Sequence, residues 1–117
     1  MIEFVLVALL GGLGAVVRAF AGRFEGRLPW GILIANSVAA GVGAFALALP
    51  SALTLLSLTL LVGLAGGLST FSTVIAHTSL YWRNRQWTRG WWNVLFNIAV
   101  PFTVAALIGF AAEALLK

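Results

Sequence analysis

"GLAGGLSTFSTV", Gly63 to Val74, lies inside a long apolar run, and its reading decides the fold. It holds three glycines, four hydroxyl residues and one phenylalanine. A lipid-facing helix has no use for hydroxyls packed this densely, and glycines weaken a helix that is otherwise simple to form. Gly66-Gly67 lowers the cost of leaving helical geometry. Ser69, Thr70, Ser72 and Thr73 offer partners to the backbone groups so freed. Non-helical backbone at membrane depth is tolerated only where it is buried in protein or lines a watery cavity. Broken helices in transport proteins place carbonyls and helix ends around ions. The stretch therefore predicts a functional break in a spanning helix. A glycine-rich packing face with hydroxyls bonded to the preceding turn is the blander account, and the hydroxyl density weighs against it.

The flanking sequence has the same character. Of 117 residues, 62% are hydrophobic and 9% charged, with a mean hydropathy of +1.06. Soluble domains are roughly 45–50% apolar, so the surplus here faces lipid. The length suits one domain, residues 1–117. The net charge of +4 does not point to nucleic acid, because the arginines sit in two short loops, as in membrane proteins. No cysteine is present, so no disulfide or thiolate metal site is expected. Ala19-Phe20-Ala21 looks like a signal-peptidase site, but Glu3 and the lack of a basic cluster before it favour a retained first helix.

Spanning a bilayer takes about 20 mostly apolar residues. Four segments qualify: Ile2 to Phe20, Trp30 to Leu49 (ended by Pro50), Leu53 to Leu80 and Trp91 to Leu116. The third is too long for a simple span, and the break falls near its middle. Trp30, Tyr81, Trp82, Trp87, Trp91 and Trp92 cluster at span ends, as interfacial aromatics do. The loops after spans one and three share one side and hold Arg18, Arg23, Arg27, Arg83, Arg85 and Arg89. The other side has Lys117 and the N-terminal amine. The positive-inside rule places the arginine loops in the cytoplasm and both termini outside, in a multi-pass inner or plasma membrane protein.

Ionisable groups mark proton and ion pathways in membranes, and the spans nearly lack them. Glu3, Glu25 and Glu113 lie at ends or in a loop, and His77 reads as interfacial. No paired carboxylates, Ser-His-Asp set or metal-ligand cluster appears, so no enzyme is expected. Uncharged polar residues remain. Asn36 lies within span two, where an unpaired amide is costly; helix–helix glue and donation to an anion fit it about equally. Asn36, Ala39, Ala40 and Gly43 share a helical face. Gly11, Gly14 and Ala15 read as helix packing. Asn93 and Asn97 share a face in span four, and Pro101 frees the carbonyl of Asn97. Phe71 presents ring-edge hydrogens that attract an anion weakly. Ser69, Ser72 and Thr73 share a common helical face, which Asn36 can approach from another helix. Such a lining offers weak donors and no fixed positive charge.

"GGLGAVVR" (Gly11 to Arg18), "GILIANSVAAGVGAF" (Gly31 to Phe45) and the opening stretch together resemble the Fluc/CrcB family of fluoride channels. The resemblance covers nearly the whole chain, and the third motif is the specific one. It implies an all-α membrane fold, four transmembrane helices with a broken third helix, assembling as an antiparallel dimer. It implies two fluoride pores along the subunit interface and a central structural sodium ion held by backbone carbonyls. By position, Asn36 would be the pore asparagine and Phe71 the first of two pore phenylalanines. Gly66 and Ser69 would supply sodium-coordinating carbonyls, with Ser72 and Thr73 lining the hydroxyl part of the route. Arg18 would stand near the vestibule, and Asn93 or Asn97 would take the polar pore position in span four.

Three positions depart from the pattern. Val74 stands where a second phenylalanine is expected, His77 where a glutamate is common, and Ala39 where a glycine is usual. An antiparallel homodimer needs one sequence to insert both ways, and this charge bias is strong. The expected assembly is therefore a heterodimer with an oppositely oriented relative, with a homodimer as the alternative. Two further readings are a small multidrug-type antiporter, which lacks its membrane glutamate here, and a non-conducting subunit or assembly factor.

Overall fold

The computed structural model describes residues 1–116; Lys117, counted in the charge pattern, lies outside the described residues. Helix α1 (Ile2–Ala21) and helix α2 (Trp30–Ala48) are joined by a tight loop. Leu49 is extended (φ −64°, ψ 144°), as the residue before Pro50 should be, since proline disfavours helical geometry there. The third span is composite. A short 3-10 turn (Ser51–Leu53) leads into α3 (Thr54–Leu58), a π-helical stretch (Thr59–Ala65) and α4 (Gly66–Leu68). Helical geometry then stops at residues 69–71 and resumes as α5 (Ser72–Arg83). Helix α6 (Trp87–Leu116) is continuous through Pro101.

Among the described residues, four stretches are long and apolar enough to cross a membrane, so this is a multi-pass membrane protein. Their ends differ slightly from expectation: α6 begins at Trp87 and the third span reaches Arg83. At 30 residues, α6 runs about 45 Å against a hydrocarbon core of about 30 Å. Its leading tryptophans therefore reach headgroup level. Helices α2 and α6 pack along each other, α1 lies against residues 59–68, and α5 against α6. The buried centre is small and made of small residues, with Ala35, Ala39, Ala65 and Leu68 forming its nucleus. Phe4, Phe102, Phe110 and Leu115 point outward, which hydrocarbon solvates and water would not.

The double glycine has a different role from the one its sequence suggests. Gly66 is helical (φ −62°, ψ −41°), and no glycine takes a positive φ among the described residues. The break falls later, at Ser69. What Gly67 provides is absence of a side chain: a Cβ there would collide with the Gly11 carbonyl of α1. Likewise a Cβ on Gly14 would sit 2.7 Å from the Leu64 carbonyl oxygen. Backbone meets backbone along this seam, as small residues permit in membranes.

Gly67→Ala is expected to lower unfolding stability in detergent by about 1–3 kcal/mol through overpacking. Gly12→Ala, whose added Cβ meets nothing within 4 Å, should be neutral or slightly stabilising. Denaturant unfolding followed by tryptophan fluorescence separates the two variants.

Candidate functional site: a trough at the break of the third span

The break creates an accounting problem for the backbone, and Asn36 solves it. In a continuous helix the Thr70 N–H would bond the Gly66 carbonyl. Instead it donates to Asn36 Oδ1 at 2.8 Å. Asn36 Nδ2 donates back to the Thr70 carbonyl at 3.1 Å. The side-chain amide thus pairs with both backbone groups of one residue, as a neighbouring peptide would. The other Nδ2 hydrogen goes to Asn97 Oδ1 at 3.0 Å.

From Asn97 the network continues downward. Asn97 Nδ2 donates to the Asn93 carbonyl at 3.0 Å and to Asn93 Oδ1 at 3.3 Å. Asn93 Nδ2 donates to the Val74 carbonyl at 3.1 Å and to Thr78 Oγ1 at 2.9 Å. Thr78 in turn donates to the Val74 carbonyl at 2.8 Å. Asn93, Thr78 and Val74 are buried to 1%, 1% and 0% exposure, so this end of the network is a packed node. An amide carries two donor hydrogens, and each of the three asparagines spends both inside the chain.

The hydroxyls serve the resumed helix. Thr70 Oγ1 accepts the Thr73 N–H at 3.3 Å and donates to Thr73 Oγ1 at 3.1 Å. Ser72 Oγ lies 3.2 Å from Thr70 Oγ1. Ser69 is extended (φ −79°, ψ 149°), so it leaves the face it was expected to share with Ser72 and Thr73. Its carbonyl accepts a bond from Arg18 Nη1 at 3.1 Å. That places a cation at the carbonyl end of the first limb, the negative pole of its helix dipole. The positive pole of α5 opens immediately after.

Above the network lies an open trough of about 560 Å³. Asn36, Gly66, Ser69, Thr70, Phe71 and Asn97 line its polar section, and alanines, leucines and Pro101 line the rest. No charged residue lines it. Phe71 is 61% exposed. The structure thus brings Asn36, Gly66, Ser69, Phe71 and Asn97 together. Ser72, Thr73 and Asn93 do not line the trough, and Val74 is wholly buried away from it. Thr70 and Thr78 are the participants the sequence did not single out. Thr70 was visible only as one hydroxyl among four, while Thr78 carried no local signal. Further along, His77 Nε2 lies 3.8 Å from Glu25 Oε1, tying the first loop to α5.

The CrcB-like family (camphor resistance) matches residues 5–110 of the chain. The chain is 41% identical over 118 aligned positions to a fluoride-specific ion channel FluC of Rhizobium etli, covering 92% of each chain. It is 36% identical over 115 positions to fluoride-specific ion channel FluC 1 of Thermobifida fusca, again covering 92% of each.

Asn36→Ala leaves the Thr70 N–H and carbonyl unpaired, at about 1–3 kcal/mol for each group. The expected result is a matching loss of unfolding stability together with faster amide hydrogen exchange at Thr70. Unchanged exchange at Thr70 would show that the amide pairing does not hold the break.

Proposed function

The chain belongs to the CrcB-like family, and from that premise we propose that it is one subunit of a fluoride-selective channel that passes fluoride out of the cell down its gradient. The family is one of channels, not enzymes. The observation that carries the proposal is the trough: an uncharged, weakly polar wall at the break of a spanning helix, open along one side. A single chain makes one wall of a route, and a second subunit packed against it would close the other. The positive end of α5 and the edge of Phe71 favour an anion without trapping it. The asparagine amides stiffen this wall, their own donors being spent internally. No carboxylate or histidine lines the trough, so nothing there takes up and releases a proton as an antiporter requires.

The dimer we propose is antiparallel, with the arginine loops of this chain in the cytoplasm. Its charge bias favours one orientation, and an oppositely biased relative is the natural partner. Sodium at the centre is compatible with the residues present. Thr70 gives its N–H to Asn36, leaving the Gly66 carbonyl without its helical donor, and a free carbonyl dipole suits a hard cation. The Ser69 carbonyl already accepts from Arg18, and its second lone pair can take another partner. Among the described residues no cluster of acidic, histidine or cysteine side chains offers an alternative metal site. A sodium ion bound by Gly66 and Ser69 would add fixed positive charge where the two breaks meet.

Fluoride efflux from liposomes, with chloride as control, tests the reading. The chain alone is expected to give little efflux, and co-reconstitution with an oppositely biased relative to give rapid, fluoride-selective efflux. Efflux from the chain alone would keep the channel and remove the obligate heterodimer. Silence in both preparations, from folded protein, would overturn the channel reading. Orientation is read separately: with no native cysteine, Ser51→Cys should be labelled by an impermeant maleimide from outside intact cells, and Arg85→Cys should not.

A further inference from the structure

A second hollow, of about 500 Å³, lies at the arginine-bearing end, between the start of α2 and the start of α6. Arg27, Leu28, Trp30, Arg89, Trp92 and Phe96 line it, and it shares no lining residue with the trough. Its floor is aromatic. Phe96 lies between Trp30 and Trp92, with ring centroids 6.4 Å and 5.2 Å away. Two guanidiniums stand around this floor. Neither forms an ion pair among the described residues. Arg89 is steadied by a bond from Nη1 to Gln86 Oε1 at 2.9 Å and lies over the Tyr81 ring at 5.8 Å. That engages one of its five donor hydrogens and leaves the others for a ligand. Arg27 is exposed.

The level in the membrane decides what such a hollow meets. Trp30 opens one spanning helix, and Trp87, Trp91 and Trp92 open another. Tryptophans sit at headgroup depth, so the hollow faces neither bulk water nor acyl-chain interior. A phosphodiester matches guanidinium forks in geometry and charge, and the first methylenes of an acyl chain match the rings. Two unneutralised cations select a lipid of net negative charge over a zwitterionic one, whose choline would lie beside them. Basic pockets between spanning helices hold anionic headgroups for this reason.

We propose that this hollow is a binding site for the headgroup of an anionic phospholipid. The inference does not depend on conduction and stands or falls apart from it. The test is native mass spectrometry of the full chain released from nanodiscs of equal phosphatidylglycerol and phosphatidylcholine. The wild-type chain should retain phosphatidylglycerol in clear excess. Removing each arginine should cut that excess about fivefold, so the R27A/R89A double variant nearly abolishes it, while R27K/R89K, which keeps the charge and loses the fork, keeps only part of it. R83A/R85A, which removes two arginines outside the hollow, should leave it unchanged.

Equal retention of the two lipids by the wild type overturns the proposal without recourse to any variant. Equal loss in R83A/R85A overturns it in favour of diffuse charge attraction. Displacement of phosphatidylglycerol by millimolar inorganic phosphate would mean a free-anion site. Retention that persists in R27A/R89A overturns the proposal too, since the two guanidiniums would then not be what holds the lipid.

Discussion

The pairing of the Asn36 amide with both backbone groups of Thr70 is the constraint on which the rest of the structure depends. A helix interrupted within a bilayer strands N–H and carbonyl groups where water is scarce, and each stranded group is costly. Asn36 meets this cost from a neighbouring helix, so the break is fixed in tertiary space and not by local turn chemistry. Its remaining donor ties α2 to α6 through Asn97. From there Asn93 and Thr78 carry the connection to the far side of the break. One relay of amides therefore holds both limbs of the third span in fixed relation to α2 and α6.

The small residues make this relay reachable. Alanines at the α2 core and glycines along the α1 seam let helices approach at backbone distance. Side chains as short as asparagine then span the gaps between helices. Larger residues along these seams would hold α1 and the first limb apart, and with them the break. The core is small as a result, and lipid suits the apolar surface that remains outside it.

Electrostatics follows from the same geometry. The break sets the carbonyl end of one limb beside the amide end of the next, so opposite partial charges lie a few residues apart. Arg18 meets the first at Ser69, and the trough opens beside the second. A surface without formal charge thereby acquires polarity suited to small ions.

Much of this was legible in the residues. Hydropathy and interfacial tryptophans placed four spans, because lipid imposes a length and a composition on any helix that crosses it. The hydroxyl-rich stretch marks the break to within a few residues, and residue type alone singles out Asn36, Phe71, Gly66, Ser69 and Asn97, which line one trough. The clearance that Gly67 provides is not legible in the sequence, since a glycine needed for clearance and one needed for flexibility read alike in a string. The roles of Val74 and Asn93, buried and not lining, depended on which way α5 turns after the break. Ser69 left its expected face because helical periodicity holds only while the helix does. By itself the sequence determined the membrane fold, the span count and the location of the break, all consequences of local composition. Only the tertiary structure decided which partner satisfies which stranded group, because that choice depends on distances between helices that no local pattern encodes.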